Sequence, residues 1–361
     1  MPGSQTGIDV GGTFTDLVAW DGFRLRTAKV PSTPDDQSRG VVNALRTADS
    51  GPSTLVHGTT VATNALLERA GARTALVVDA GFEDVIEIGR QDRPSLYDVA
   101  RVRSAPLVAS DHRFGLPARD THDGAADLDS EALVALADRI AMLAPEAIAI
   151  STLFSFLDPA REDRVADALA AAVPGVPVSR SSRVAPEFRE YERASTTVIN
   201  AYLIPIVSRY LSRLGGAVTD AGVVGSPAVM RSSGGLLELD EASMLPASIV
   251  LSGPAGGVVA AGAYGMALGH RSLVSFDMGG TSTDVCRITD GRPEVSFERA
   301  IDGLPNRMPS VAIHTVGAGG GSIGWMDAGG ALRVGPQSAG AVPGPASYGR
   351  GGAVPTVTDA D

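Results

Sequence analysis

Apolar residues along the chain fall into short runs between glycine-rich turns, with longer stretches of helical periodicity among them. The short runs predict buried strands, and the longer stretches predict amphipathic helices. Strands are expected at 54–56, 74–78, 147–153, 228–231 and 311–315, and helices at 38–48, 130–143, 159–172, 183–213 and 258–266. This alternation of strands and helices predicts an α/β protein.

Capping and helix-breaking residues predict where three helices begin, end or are interrupted. One helix is expected to begin near Thr60 or Val61 and to end at Gly71, because glycine commonly closes helices. Ser130 is the predicted cap of helix 130–143. Pro205 is expected to kink or divide helix 183–213. Within this long helical segment we place the boundary between two domains, 1–195 and 196–361.

One eight-residue pattern occurs twice. DVGGTFTD at 9–16 returns as DMGGTSTD at 277–284, with six of the eight positions identical. Each copy lies between apolar runs and is followed by an Asp-Gly pair, a strong hairpin signal. Each copy therefore predicts a strand, a glycine loop, a strand, a tight turn and a strand. The duplication indicates two related half-domains facing each other.

The two glycine loops carry residues suited to binding a polyphosphate. Paired glycines let backbone N–H groups approach an anion, and threonine hydroxyls add donors. The aspartate before the glycines can hold a divalent cation. A tight bend without a ligand is the alternative for one copy alone, but two copies in the same strand context favour a clamp on a polyphosphate.

Two further stretches hold candidate site residues. His57, Thr59 and Thr60 precede a predicted helix start, whose free N–H groups can bind an anion or a carbonyl. The alternative is a helix cap with a histidine packed on the sheet. His314 ends a predicted strand before a glycine-rich loop at 316–325, which we interpret as passing close to a nucleoside. A hairpin bend is the alternative there, since Ser322 breaks the dinucleotide fingerprint.

Two other segments leave both a site and a structural interpretation open. The segment 81–98 includes Arg90, Asp92 and Arg93 without helical periodicity, which predicts either a site loop or solvated surface. SGPAGG at 252–257 precedes a small-residue helix, an arrangement suited to phosphate binding or to tight packing.

Composition restricts the class of protein. With 44% hydrophobic and 20% charged residues, the chain is typical of a soluble globular protein with a substantial core. Its net charge of −11 makes nucleic acid and anionic membranes unsuitable partners. Lys29 is the only lysine, which excludes a GxxxxGK phosphate loop. Cys286 is the only cysteine, so it is expected to be a small core residue without a disulfide. No run predicts a membrane span or signal peptide, and the cytosol is the expected location.

A family resemblance rests on motifs spread over nearly the whole chain. GIDVGGTFTD at 7–16 and HGTTVATNA at 57–65 are followed by matching segments at 189–193, 252–257, 277–284, 314–322, 344–352 and 356–360. In this order they resemble the hydantoinase/oxoprolinase family, which includes ATP-dependent 5-oxoprolinases, N-methylhydantoinases and the nucleotide-binding subunits of acetone and acetophenone carboxylases. The resemblance implies a duplicated ribonuclease-H-like fold with mixed sheets, of the actin, sugar-kinase and heat-shock ATPase type.

The resemblance also implies an activity and roles for residues. ATP with Mg²⁺ would phosphorylate the carbonyl oxygen of a cyclic amide such as a hydantoin or 5-oxoproline, or of a ketone in a carboxylase. A nucleotide-binding module without catalysis is the third possibility. Members run beyond this chain, which is expected to be C-terminally short, and many act with a second subunit of hydantoinase B type. The implied catalytic residues are Asp9, Asp277 and His57, with Asp9 and Asp277 also as metal ligands. The implied ATP-binding residues are Gly11, Gly12, Thr13, Thr15, Gly279, Gly280, Thr281, Gly317, Gly319, Gly320 and Gly321, and the implied substrate residues are Thr59, Thr60 and His314.

Overall fold

The computed structural model describes residues 4–11, 14–33, 36–48, 54–93, 95, 97–98, 100, 102–117, 128–280, 282–340 and 342–361. Three predicted phosphate-loop residues, Gly12, Thr13 and Thr281, lie outside the described residues. The strands are β1 Gln5–Val10, β2 Phe14–Trp20, β3 Leu25–Pro31, β4 Thr54–Thr59, β5 Thr74–Asp79, β6 Arg113–Leu116, β7 Ala147–Ser151, β8 Val178–Arg180, β9 Ala228–Met230, β10 Leu236–Glu238, β11 Ser272–Met278, β12 Thr283–Thr289, β13 Arg292–Pro293, β14 Val295–Ser296, β15 Arg299–Ile301, β16 Leu304–Asn306, β17 Ser310–Val311, β18 His314–Val316, β19 Ser322–Met326 and β20 Leu332–Ser338. The helices are α1 Gln37–Ala48, α2 Val61–Leu67, α3 Val85–Ile88, α4 Ser130–Leu143, α5 Ala160–Ala172, α6 Ser181–Val184, α7 Glu190–Asp220, α8 Leu239–Met244, α9 Gly253–Ala267 and α10 Val357–Ala360, with 3₁₀ turns at Ser110–His112, Pro246–Ser248 and Ala346–Tyr348.

The chain forms two compact units that are not simple halves of the sequence. Unit 1 comprises Met1–Gly253 and Phe297–Ser310, and unit 2 comprises Pro254–Ser296 and Val311–Asp361. Residue 195 lies inside the continuous helix α7. The predicted domain boundary at residue 195 divides the sequence rather than these two compact units, and it stays a prediction.

The first sheet of unit 1 is mixed and has the strand order β10-β9-β4-β1-β2-β3. The hairpins β1–β2 and β2–β3 are antiparallel, whereas β1 runs parallel to β4. Side chains alternate between the two faces of these strands, so Ile8, Val10 and Leu17 are buried while Asp9 is exposed. Helices α1, α2 and α7 contribute to the apolar core that covers the buried face.

The second sheet of unit 1 is parallel throughout, in the order β6-β5-β7-β8. Every residue of β5 and β7 is buried, as expected for parallel strands covered on both faces. One face packs on residues of α4 and α5, and the other packs on residues of α7. A buried ion pair joins the end of β5 to α5, with Arg161 Nη2 3.2 Å from Asp79 Oδ1.

Unit 2 is built around a smaller antiparallel sheet. Strand β12 pairs with β11, with β13 and with β18. Its core joins α9 to this sheet through Ala255, Val258, Cys286, Ile288 and Val311. The predicted core position of Cys286 is confirmed, since the residue is 2% exposed and its thiol is free.

Three details of the helices correct the sequence-based predictions. Helix α2 begins at Val61 as predicted but ends at Leu67, where Arg69 rather than Gly71 takes a positive φ of 54°. Gly71 instead packs against the ring of Tyr202, which leaves no room for a Cβ. Asp129 caps α4 by accepting a hydrogen bond from the Glu131 N–H, so Ser130 is the first helical residue. Helix α7 contains Pro205 without being divided, and the alternative of a kink at Pro205 stays a prediction.

The described architecture is α/β with mixed sheets, as the strand and helix pattern predicts. Among the described residues, no helix combines the length and the apolar character needed to cross a membrane.

Candidate functional site

The first copy of the repeat forms the predicted three-stranded hairpin in unit 1. The Gly11 N–H donates to the Phe14 carbonyl over 3.0 Å and closes the glycine loop. On the outer side of the loop, the Ser32 hydroxyl donates to the Gly11 carbonyl over 2.7 Å. The turn between β2 and β3 uses Gly22 at a φ of 94°, a backbone conformation that glycine adopts without strain.

Asp9 lies near the end of β1, on the exposed face of the sheet. It pairs with Asp16 across the hairpin and with Gly58 across the parallel pair β1–β4. A Cβ added at Gly58 would lie 2.7 Å from Asp9 Oδ1, and one added at Gly253 would lie 4.0 Å from the same atom. The Asp9 carboxylate therefore occupies space that a side chain at position 58 would fill.

The second copy of the repeat adopts the same geometry within unit 2. Asp277 pairs with Asp284 as Asp9 pairs with Asp16. The Gly279 N–H donates to the Ser282 carbonyl over 2.9 Å and closes the equivalent loop. At the following turn, Asp290 and Gly291 have φ values of 52° and 71°, as a two-residue hairpin turn requires. Both predicted hairpins are thus confirmed.

Two predicted ATP-binding segments of unit 2 meet through their backbones. The Gly320 N–H donates to the Gly279 carbonyl over 2.9 Å, and the Gly321 N–H donates to the Gly280 carbonyl over 2.6 Å. A Cβ added at Gly321 would lie 2.9 Å from the Gly280 carbonyl oxygen. Close backbone approach therefore explains the glycine at position 321. Ser322, which interrupts the dinucleotide fingerprint, accepts the Gly319 N–H through its hydroxyl over 2.8 Å.

Three further predicted site residues of unit 1, the ATP-binding residue Thr15 and the substrate residues Thr59 and Thr60, belong to the buried side of the sheet or to the start of α2. The Thr15 hydroxyl is buried and lies 3.1 Å from the Ser32 hydroxyl. Thr59 is buried, and its hydroxyl accepts the Val61 N–H over 3.2 Å. The Thr60 hydroxyl donates to the Val10 carbonyl over 3.3 Å. In this structure the hydroxyls of these residues make hydrogen-bond contacts within the protein, and their ligand-binding roles stay predictions.

His57 is completely buried between the sheet and α7. Its Nδ1 lies 3.3 Å from the Ile8 carbonyl and its Nε2 lies 2.6 Å from the Tyr210 hydroxyl. Burial lowers the pKa of His57 to about 4, so the imidazole is neutral at physiological pH. Burial also raises the pKa of Tyr210. The geometry matches a histidine packed on the sheet, and a catalytic role for His57 stays a prediction.

His314 and Thr315 lie on β18 of unit 2. Thr315 is opposite Asp284, and its hydroxyl donates to Asp284 Oδ1 over 2.7 Å. His314 is exposed and, by strand alternation, projects to the other face. Asp277, Asp284 and Thr315 thus form one row across three strands, and His314 is outside it.

A cavity of about 500 Å³ lies beside the first glycine loop within unit 1. Its wall includes Gly11 and Ser32 from the hairpin region, Asn64 from α2 and Glu68 from the C-cap of α2. Tyr210, the partner of His57, also lines it. This volume is within the ordinary range for a small-molecule site, and its polar groups can accept and donate hydrogen bonds.

The segment 81–98, whose role the sequence left open, contacts the start of α7 elsewhere in unit 1. Arg90 donates to both carboxylate oxygens of Glu192, over 2.7 and 2.6 Å. Beside this pair is a second cavity, of about 540 Å³, which Tyr191 and Arg103 also line. The sequence could not predict this pairing, because the two residues are 102 positions apart and no local pattern links them.

A divalent cation is compatible with the oxygen donors of both hairpins. Asp9 and Asp277 are exposed carboxylates directly before the glycine loops. Mg²⁺ is commonly held by one or two carboxylates together with phosphate oxygens. Among the described residues, no group of three or more His, Cys, Asp or Glu side chains could hold a metal unaided. A metal at either aspartate would therefore take its other ligands from outside these side chains, as phosphate oxygens or water.

The repeated hairpins and the mixed sheets define an α/β protein of duplicated design. The chain belongs to the hydantoinase/oxoprolinase family: the model of its N-terminal region matches residues 5–173, and the hydantoinase/oxoprolinase model matches residues 193–361. The predicted family is thereby confirmed.

Relatives and solved structures agree with this assignment. The chain is 37% identical to caprolactamase subunit alpha of Pseudomonas jessenii, covering 99% of this chain and 54% of the relative. It is 33% identical to 5-oxoprolinase of Saccharomyces cerevisiae, covering 98% and 31%. The solved structure of the ATP-dependent caprolactamase of Pseudomonas jessenii matches with a TM-score of 0.86 at 34% identity, and nucleotide-free acetone carboxylase matches with 0.78 at 29%. Each structural match covers 99% of this chain and 54% of the other.

These likenesses confirm the predicted duplicated, ribonuclease-H-like α/β fold. The chain spans about half the length of caprolactamase subunit alpha and about a third of yeast 5-oxoprolinase.

Proposed function

We propose that this protein is an ATP-dependent hydrolase, or the nucleotide-binding subunit of one, that opens a cyclic amide. The observation that carries the proposal is the repetition of one Asp-Gly-Gly hairpin with the same strand register and loop closure, Asp9 opposite Asp16 and Asp277 opposite Asp284. Similarity to an ATP-dependent caprolactamase and to 5-oxoprolinase supports the cyclic amide as substrate class.

The proposed reaction activates an otherwise unreactive amide. Transfer of the γ-phosphoryl group of ATP to the carbonyl oxygen makes the carbonyl carbon more electrophilic. Water then adds to that carbon, and the ring C–N bond breaks to leave an amine and an acyl phosphate. A second water hydrolyses the acyl phosphate to a carboxylate and free phosphate. The residues contribute by positioning and by stabilising charge, which supply most of the catalysis in phosphoryl transfer.

The hairpin residues take the phosphate-side roles in this proposal. Backbone N–H groups and threonine hydroxyls of the glycine loops would bind phosphate oxygens, while Asp9 and Asp277 would hold Mg²⁺, which would neutralise negative charge on the phosphates. The 500 Å³ cavity beside Gly11 is the proposed acceptor pocket, because it adjoins the first phosphate loop. Asn64 lines it and offers both a donor and an acceptor to an amide.

The second candidate function is that of a nucleotide-binding subunit in an ATP-dependent ketone carboxylase. The structural match to acetone carboxylase supports it, and the same activation of a carbonyl oxygen would serve both reactions. A second subunit of hydantoinase B type is part of either proposal, since one relative is itself a subunit. The cytosol remains the expected location.

Phosphate release tests these candidates. Purified protein, alone and with its co-expressed second subunit, is incubated with ATP and Mg²⁺ in the presence of hydantoin, 5-oxoproline or caprolactam. We expect phosphate release that depends on one cyclic amide and is lost in Asp277→Asn. Release that requires bicarbonate and a ketone would select the carboxylase instead. Saturable ATP binding with no substrate-dependent release under any condition would leave only a nucleotide-binding module.

A further inference from the structure

Lys29 occupies a distinctive position in the first hairpin. It is the only lysine in a chain where lysine and arginine together number 30. On β3 it lies opposite Asp16, which lies opposite Asp9 on β1. Residues opposite each other project from the same face, so these three form a charged row across neighbouring strands about 5 Å apart.

Two contacts hold the Lys29 ammonium on the side of the glycine loop. Its Nζ lies 2.7 and 2.9 Å from the two carboxylate oxygens of Asp16. It also lies 4.8 Å from the ring centroid of Phe14, the first residue of β2 after the loop. An ammonium has three N–H donors, and Asp16 accepts two of them. Within the described residues, Lys29 makes no other side-chain hydrogen bond, so a third donor remains available beside the loop.

The second hairpin provides an internal comparison. There Asp284 receives its hydrogen bond from the neutral hydroxyl of Thr315, over 2.7 Å. Both copies thus hold the second aspartate of the motif with a donor from a third strand. Only the first copy uses a positive charge for this purpose.

Stability alone gives little reason for the charged pair. The side chains of Lys29 and Asp16 are 57% and 50% exposed, and ion pairs this exposed add little to folding. Without the ammonium, the row would present the two carboxylates of Asp9 and Asp16 to an approaching polyphosphate. The like charges would oppose binding at the first loop.

We propose that Lys29 is the cationic phosphate-binding residue of the first glycine loop. Asp16 orients the ammonium through two N–H donors, and the third donates to a phosphate oxygen of the nucleotide. A compact ammonium suits this task better than arginine, because a guanidinium would pair as a fork with Asp16. This inference rests on the nucleotide site proposed above.

Titration of the purified protein with ATP and Mg²⁺ tests the assignment. We expect Lys29→Met to weaken ATP binding about ten- to a hundredfold, as for the loss of one charge-assisted hydrogen bond. Lys29→Arg should recover part of that loss. Arg24→Met is the matched control, because it removes the same charge from an exposed position just before β3, about 17 Å from Lys29 along the strand direction. It should bind ATP within about twofold of wild type.

Adenosine distinguishes a phosphate contact from a general structural effect. It lacks phosphate, so Lys29→Met should bind adenosine as wild type does. Equal ATP binding by wild type and Lys29→Met, or equal losses for ATP and adenosine, would overturn the role of Lys29 and leave the nucleotide site standing. Failure of folded wild type to bind ATP would overturn both.

Discussion

Replacing Gly58 by alanine tests whether the Asp9 carboxylate must stay where the structure places it. The added Cβ would lie 2.7 Å from Asp9 Oδ1 and 3.6 Å from its Cγ. Restoring an ordinary contact of 3.4 Å moves the carboxylate oxygen by about 0.7 Å. The obstacle is the end of a side chain rather than backbone, so Asp9 can rotate away while the sheet stays intact.

This displacement should impair function far more than stability. A misplacement near 1 Å in a reacting assembly can cost roughly a hundredfold in rate, so we expect Gly58→Ala to lose about 10- to 100-fold in substrate-dependent phosphate release. The free energy of unfolding should change by less than about 1 kcal/mol, because alanine also restricts the unfolded chain. Phosphate release and thermal unfolding are measured on the same preparations.

Gly7→Ala is the matched control for this experiment. Gly7 lies on β1, on the same face as Asp9, and a Cβ there meets nothing within 4 Å. If Gly58→Ala and Gly7→Ala released phosphate at the same rate as wild type, the position of the Asp9 carboxylate would not matter for the reaction, and its assignment as metal ligand or catalytic group would fail.

Three further predictions address the scaffold. Gly321→Ala should lower the free energy of unfolding by about 1–3 kcal/mol, because its Cβ would meet a backbone oxygen at 2.9 Å. Gly317→Ala, whose Cβ would lie in open space, should change the free energy of unfolding little. Denaturant titration measures both variants, and equal effects would contradict the loop contact. The folded-state pKa of His57, about 4, is below its unfolded value of 6.5, so the unfolded state binds more protons and stability falls by up to about 3 kcal/mol as pH drops from 6.5 to 4. His57→Gln should lose that part of the pH dependence, and an unchanged profile would count against the buried neutral ring. Arg161→Met should cost about 3 kcal/mol because it removes an ion-pair partner of the buried Asp79, and a loss below 1 kcal/mol in urea unfolding would show that the pair is dispensable.

Local features of the sequence were sufficient to predict both hairpins. The Asp290-Gly291 pair specifies a turn with two positive φ angles, and alternation of apolar and polar residues fixes which face of β1 is buried. The repeated sequence pattern likewise places Asp9 and Asp277 before their glycine loops. These predictions depend only on residues close together in the chain, which is why they could be made without a structure.

Features that depend on distant residues could not be predicted. Gly71 fits the usual pattern of a helix-ending glycine, yet it packs against Tyr202 on another helix. His57 is hydrogen-bonded to Tyr210, 153 positions away, and no local pattern of the sequence predicts this partner. In both cases the contact joins residues that are distant in the chain, so the local sequence pattern does not contain it.

The two copies of the motif differ in charge because a third strand places a different residue beside the second aspartate of each copy. In unit 1 the third position of the row is Lys29, so its three side chains sum to a charge of −1; in unit 2 it is Thr315, and the corresponding sum is −2. A divalent cation is attracted more strongly to the second row, whereas a phosphate oxygen is repelled less by the first. The two copies of the motif thus differ in net charge, although both close their loops with the same backbone hydrogen bond. Lys29→Met makes the two rows equal in charge, so the effect of that substitution on ATP binding measures how much of the difference is electrostatic.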